Sequence, residues 1–275
     1  MPVTQKDIEM AARELSLSGR PVVIHSSLRS FGRVEGGPST VIEGLLSEGC
    51  TVMTPTFSWA FSVVPPAHLR PPRNAADYDS LGPLDSESKG IYRPDSDEYD
   101  RESMGAIPGS VLSMQGRCRG NHPLISFTAV GPDADDLIRP QLPLDVWAPL
   151  AALTDRRGSI VLMGVNLTTM TFLHFAEKVA GRTPFRRWAN GADGMPMMVE
   201  AGSCSNGFQN LAGPLASITT EAMVGESRWL VGPAKETLAR VVAAIRADPG
   251  ITRCSKRCGR CKAAMLGGPI LNDGR

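Results

Sequence analysis

The sequence predicts an α/β fold, layered, with helices on both sides of a mixed, largely parallel sheet. Three observations carry that reading. Runs such as Val22-Val23-Ile24 and Ile160-Val161-Leu162-Met163 are apolar at every position instead of every second one, the pattern of strands covered on both faces. Segments with apolar residues at helical spacing alternate with them, as layered α/β folds require. The chain's 275 residues, 42% of them hydrophobic, can bury one large core without covalent staples.

Each element follows from local chemistry. Thr4 can cap a helix to about Leu17, on which Ile8, Ala11, Ala12 and Leu15 recur at helical spacing and after which Gly19 marks a stop. Arg20-Pro21 opens the strand Val22-Val23-Ile24, which runs into the polar His25-Ser26-Ser27, the position where open α/β sheets place ligands. Ser39 can cap a second helix bearing Val41, Ile42, Leu45 and Leu46, and Thr51 to Thr56 is the next strand. Residues 63–102, rich in Pro, Asp, Ser and Arg, lack periodicity and form an excursion far longer than usual connections. Beyond it the expected elements are a helix from Met104 to about Met114, a strand over Phe127 to Gly131 and a helical turn at Ala134 to Ile138. A strand over Ser159 to Val165 and a helix from Met170 to Val179 follow, then β-like segments at 197–199 and 229–231 and a helix over Ala234 to Ala247. The organisation is a single domain, 1–275, with an insertion at about 63–102 and a cysteine-rich segment at 254–261.

Composition removes several function classes. Twenty-nine Lys and Arg against 28 Asp and Glu leave a net charge of +1, which lacks the basic excess that nucleic-acid binding needs. The first ten residues are polar where a signal peptide is apolar, and no run of some 18 apolar residues occurs, so a cytoplasmic protein without a membrane partner is expected, its six cysteines reduced. Neither a Walker loop, nor a Gly-x-Gly-x-x-Gly turn after the first strand, nor a Gly-x-Ser-x-Gly elbow is present, which disfavours triphosphate, dinucleotide and α/β-hydrolase chemistry.

Four histidines are candidates for chemistry. In Thr171-Phe172-Leu173-His174-Phe175-Ala176-Glu177 the helical period puts His174 and Glu177 on one face, where a carboxylate orients an imidazole for general-base work. A buried histidine satisfied by its helix neighbour has the same spacing. His25 stands at a strand end and His122 precedes Pro123, while His68 in the excursion is assigned no role. Cys254, Cys258 and Cys261, with thiol spacings of four and three, fit zinc, and Cys204 can supply the fourth ligand. Four thiolates leave no open position, so such an ion is structural; the other reading is an exposed basic tail of Arg253, Lys256, Arg257, Arg260 and Lys262 with free thiols.

Several blocks, in order from about residue 4 to 264, give the chain a family resemblance. They are His25-Ser26-Ser27-Leu28-Arg29-Ser30-Phe31-Gly32, Glu35-Gly36-Gly37, Met53-Thr54-Pro55-Thr56, Ser103 to Pro108, Arg119 to Pro123, Ala129-Val130-Gly131, Leu162 to Val165 and Thr171 to Glu177. Together they resemble the aminoglycoside 3-N-acetyltransferases, the antibiotic N-acetyltransferase family that is unrelated to the common N-acetyltransferase fold. The resemblance implies acetyl transfer from acetyl-coenzyme A to the 3-amino group of an aminoglycoside, with His174 as general base and Glu177 or Glu200 as its partner. It implies a coenzyme A site walled by His25, Ser26, Ser27, Leu28, Arg29, Ser30, Gly36, Gly37, Met104, Gly105, His122, Pro123 and Ser126, with Arg119 meeting a phosphate. It also favours the zinc reading of Cys204, Cys254, Cys258 and Cys261, and a monomer or homodimer.

The chain departs from the pattern where some members carry an acid soon after the second strand and this one reads Phe57-Ser58-Trp59-Ala60-Phe61. Asp97 or Asp100 in the insertion is the expected replacement, and the acids of residues 63–102, Asp77, Asp79, Asp85 and Glu87 among them, suit a polycationic substrate. Two alternatives stay open: an acetyltransferase for another small amine, and a zinc-bearing binding module with a relict site.

Overall fold

The computed structural model describes residues 1–76, 78 and 90–271. In chain order the elements are α1 (Gln5–Glu14), β1 (Pro21–Ser26), α2 (Pro38–Ser47), β2 (Thr51–Pro55), α3 (Arg101–Met104), α4 (Ala106–Ser113), β3 (Cys118–Arg119), β4 (Phe127–Val130), α5 (Ala134–Ile138) and α6 (Ala148–Asp155). Then come β5 (Ser159–Met163), α7 (Phe172–Val179), β6 (Phe185–Asn190), β7 (Pro196–Ala201), α8 (Ala212–Leu215), β8 (Thr220–Val224), β9 (Ser227–Pro233), α9 (Ala234–Ala247) and α10 (Gly259–Met265).

Seven strands form one sheet in the order β3-β4-β2-β1-β5-β9-β8, and β6 pairs with β7 in a separate hairpin. β1 lies parallel to both β2 and β5, whereas the β2–β4, β4–β3, β5–β9 and β9–β8 pairs are antiparallel. Only β4 and β9 therefore run against the common direction, and the predicted class, mixed and largely parallel, is the observed one.

Alternation along the strands explains the continuous apolar runs. Val22, Ile24, Val52 and Val161 pack on one face against Ile8 of α1, Val41 and Leu45 of α2 and Val111 of α4. Val23, Met53, Ile160 and Leu162 pack on the other against Leu137 of α5, Leu150 of α6, Leu173 of α7 and Val241 of α9. With helices on both faces, every position of β2, β4 and β5 is buried.

Of the boundaries that differ from the sequence reading, three fall in the expected coenzyme A wall. β1 continues through His25 to Ser26, which buries the His25 ring. Gly37, not Ser39, holds the N-cap of α2, with Pro38 pre-set for the first turn. The helix expected from 104 breaks at Gly105, whose φ of +82° only glycine adopts without strain. Among the described residues no helix is long and apolar enough to cross a membrane.

Candidate active site

Helix α7 brings His174 and Glu177 together. His174 Nδ1 lies 2.9 Å from Glu177 Oε2, and because an ionised carboxylate only accepts, Nδ1 carries a proton, which in the neutral ring leaves the lone pair on Nε2. The ring is held from three sides. It stacks on Trp147 at 5.7 Å between centroids and meets the edge of Phe208 at 4.8 Å. The third wall is Gly202, where a Cβ would stand 2.9 Å from Nε2, so only glycine lets this backbone lie against the imidazole.

The Glu177 carboxylate is saturated. Oε2 accepts from Nδ1 and from Ser203 Oγ at 2.6 Å, and Oε1 accepts from Arg182 Nη1 and from Thr252 Oγ1 at 3.4 Å. Burial works to raise its pKa, but the hydrogen bond and charge of His174, with Arg182 and Ser203, outweigh it and hold the carboxyl below its ordinary value. Ser203, Thr252, Arg182, Trp147 and Phe208 were not legible as site residues in the sequence. The hydroxyls stand 26 and 75 residues from Glu177, and only the fold gathers them.

Glu200 does not reach His174. Its carboxylate takes Lys178 Nζ at 2.9 Å, Arg186 Nη1 at 3.3 Å and the Val146 amide at 3.3 Å. The last contact fixes the residue before Trp147, so Glu200 touches the site through the indole beneath the imidazole.

The expected coenzyme A wall divides in two. Ser26, Ser27, Leu28, Ser30, Gly37, Met104 and Gly105 are half-exposed, and Arg29 and Gly36 are exposed. β1 lies between the parallel strands β2 and β5, so the first of these stand at its carboxyl end, the place where α/β sheets bind ligands. His25 on that strand is buried, its Nε2 has no hydrogen-bond partner among the described residues, and burial pushes its pKa down to about 4.

The other half lies inside the protein. His122 is fully buried: Nε2–H donates to the Glu200 carbonyl at 3.0 Å, and Nδ1 accepts from the amides of Leu124 and Ile125. Burial pushes its pKa down to about 4, against the hydrogen bond to that carbonyl. Pro123 and Ser126 are buried beside it. The Arg119 guanidinium is likewise consumed, donating to the carbonyls of Thr56, Ser96 and Glu98 and to Ser126 Oγ. These four residues do not line an accessible wall, and a phosphate does not meet Arg119 in this arrangement. Its role is to pin the end of the excursion onto the sheet. Arg119→Met is therefore expected to leave buried carbonyls unmatched and lower stability by about 1–3 kcal/mol in urea unfolding, with faster tryptic cleavage after Arg101. A loss of coenzyme A affinity without either change would contradict this.

Asp97 is exposed and pairs with Arg117 at 2.6 Å, while Asp100 caps α3 by position and is tied through its backbone amide to the Phe57 carbonyl at 2.7 Å. Phe57 in turn begins an aromatic series through Phe127 and Trp147 to His174. Asp77, Asp79, Asp85 and Glu87 lie outside the described residues.

Behind the dyad the four cysteines converge. The sulfurs of Cys204, Cys254, Cys258 and Cys261 all lie within 4.8 Å of one another, with Cys254 3.8 Å from Cys204 and 3.5 Å from Cys261. A tetrahedral zinc with bonds of about 2.3 Å sets its sulfurs about 3.8 Å apart, so the donor set and its spacing fit that ion. The Cys261 backbone amide at the start of α10, helped by the neighbouring thiols, lowers the Cys258 thiol to about 7 against the opposing effect of burial.

The family model described as aminoglycoside 3-N-acetyltransferase matches residues 23–253. Aminoglycoside N(3)-acetyltransferase IX of Micromonospora chalcea is 34% identical over 193 residues, 65% of this chain and 63% of that protein, so the matched part falls just short of two thirds of it. The YokD protein of Bacillus subtilis (strain 168), described as aminoglycoside N(3')-acetyltransferase-like, is 31% identical over 72% of each chain. Among solved structures, the apoenzyme of aminoglycoside acetyltransferase AAC(3)-IVa superposes with a TM-score of 0.78 at 22% identity, covering 97% of this chain and 98% of that one. A mutant of that enzyme in complex with a gentamicin gives 0.76 over the same shares. The binary complex of AAC-IIIb with CoASH gives 0.73 at 20% identity, over 90% of this chain and 97% of that one. At these identities the structural likeness is one of fold.

Proposed function

The chain belongs to the aminoglycoside 3-N-acetyltransferase family, and from that premise we propose that it transfers acetyl from acetyl-coenzyme A to the 3-amino group of an aminoglycoside, with His174 as general base. The observation that carries the reading is the dyad. Glu177 holds the Nδ1–H tautomer, and no protein group among the described residues is hydrogen-bonded to Nε2. A protonated amine is no nucleophile, and in this reading Nε2 removes its proton as the nitrogen attacks the thioester carbonyl. The new C–N bond replaces the C–S bond, and the thiolate leaves and takes up a proton. Ionised Glu177 stabilises the imidazolium formed meanwhile.

Coenzyme A, when bound, supplies the activated acetyl group. The half-exposed turn after β1 is the part of the expected wall open to it, and the unpartnered His25 Nε2 is a buried polar group such a ligand can satisfy. Arg29, whose exposed guanidinium makes no hydrogen bond or ion pair among the described residues, replaces Arg119 as the cation for a cofactor phosphate. Asp97 and Asp100 are the described acids assigned to the polycationic acceptor. The four cysteines hold zinc as a closed structural site.

Thiol release from acetyl-coenzyme A with a panel of aminoglycosides tests the reading. Release is expected with compounds bearing a free 3-amino group and not with those in which it is absent or blocked. Equal release from simple diamines would point to the small-amine alternative instead.

A further inference from the structure

We propose that the four-cysteine site, loaded with zinc, is the clamp that positions Glu177 and through it His174, so that metal occupancy governs turnover. The kinetic arm of this proposal rests on the acetyl-transfer reading; the structural arm does not.

Two stretches without regular structure provide the hydroxyls that Glu177 accepts: the one after β7, with Ser203, and the one before α10, with Thr252. Each carries a metal ligand within two residues, Cys204 next to Ser203 and Cys254 beyond Thr252. The Cys204–Cys254 sulfur contact of 3.8 Å joins the two stretches, and Cys258 and Cys261 of the α10 turn complete the set. As thiols these groups make only weak hydrogen bonds, and as thiolates they repel. A tetrahedral dication turns the same four sulfurs into a rigid junction. Four thiolates and zinc leave a charge of about −2, which Arg253, Lys256, Arg257, Arg260 and Lys262 surround in sequence.

The junction lies against the base itself. Gly202, two residues before Cys204, presses its backbone on the imidazole, so a displacement of 202–204 moves the ring and the Ser203 hydroxyl together. Asn210 adds a brace on the other stretch, donating to the carbonyls of Ile251 and Arg253 at 3.0 and 3.2 Å. None of the four sulfurs is hydrogen-bonded to His174 or Glu177, so the cysteines are positioning residues.

The test uses the full chain in four forms: zinc-loaded wild type, chelator-depleted wild type, Cys258→Ser and Cys258→His. Metal analysis is expected to find one zinc per chain in the wild type and in Cys258→His, which keeps a zinc-competent donor set, and less in Cys258→Ser. Zinc removal is expected to shift the His174 imidazole resonances and to lower kcat about tenfold to a hundredfold, with KM for acetyl-coenzyme A near wild type and with recovery in Cys258→His. No zinc in any form, even after addition under reducing conditions, overturns the site. Zinc whose removal leaves the His174 resonances and kcat unchanged overturns the coupling. Resonances that follow zinc in a protein that never transfers acetyl sustain the coupling and sink the reaction.

Discussion

Replacing His174 with alanine lowers kcat for acetyl transfer by about a hundredfold to ten-thousandfold, the usual range for a general base, while coenzyme A affinity and the fold remain. The geometry favours such a clean loss. His174 Nε2 is the ring nitrogen left without a protein partner among the described residues, and the other is held by Glu177 at 2.9 Å. Removing the imidazole does not strand the buried carboxylate, because Arg182, Ser203 and Thr252 still donate to it. The stacking loss against Trp147 and Phe208 is spread over two rings that keep their other neighbours. Steady-state kinetics beside circular dichroism would check this; a folded variant with wild-type kcat would remove His174 from the mechanism.

Acidification should have the largest effect on stability. His25 and His122 both have pKa values pushed down to about 4 by burial, against 6.5 for an exposed ring. Both are neutral in the fold over that interval, whereas the unfolded chain binds protons there. Stability from these rings is complete above about pH 6.5 and is lost as pH falls through 4. Each contributes a slope of up to about 1.4 kcal/mol per pH unit, so two rings cost several kcal/mol over the window, comparable to the net stability of a typical domain. Glu177, also held low, adds a further loss below the usual carboxylate range. Urea unfolding at pH 7, 6 and 5 would measure the slope, and a flat profile between 7 and 5 would refute the assignment. His122→Gln should remove one of the two contributions.

What the sequence made legible was what is local. α9 occupies the predicted residues, Ala234–Ala247, because its apolar positions repeat at helical spacing over fourteen residues. α6 was missed because Ala148-Pro149-Leu150-Ala151-Ala152-Leu153 is apolar almost all round and shows no face. β3 is two residues long, too short to leave a pattern, and β6 hides behind Arg186-Arg187, charges its burial does not advertise. β8, on the sheet edge, is mostly exposed and lacks the apolar run. α10 is a short helix within the cysteine segment, where basic residues mask its period.

The site divides the same way. His174 and Glu177 were readable from a three-residue spacing, and the cysteine cluster from its thiol spacing. The spacing brings Glu177 to His174, but nothing in the residues themselves excludes Glu200, since that depends on which strand end faces which helix. His122 and Arg119 show the converse limit. A histidine spent on its own loop's amides, or an arginine spent on carbonyls, has the same letters as one reserved for a ligand.

The first two thirds of the long excursion close on a single point of the hairpin: Ser62 bridges to Ala189, and Ile91 bridges to its neighbour Asn190. A segment tethered in this way behaves as an exchangeable cassette. Its length can drift by many residues at about 0.6 kcal/mol for each doubling, and no strand of the sheet need change partner. On the proposed reading, insertions and deletions at this one address would alter the surroundings of the acceptor without moving His174, Glu177 or their supports.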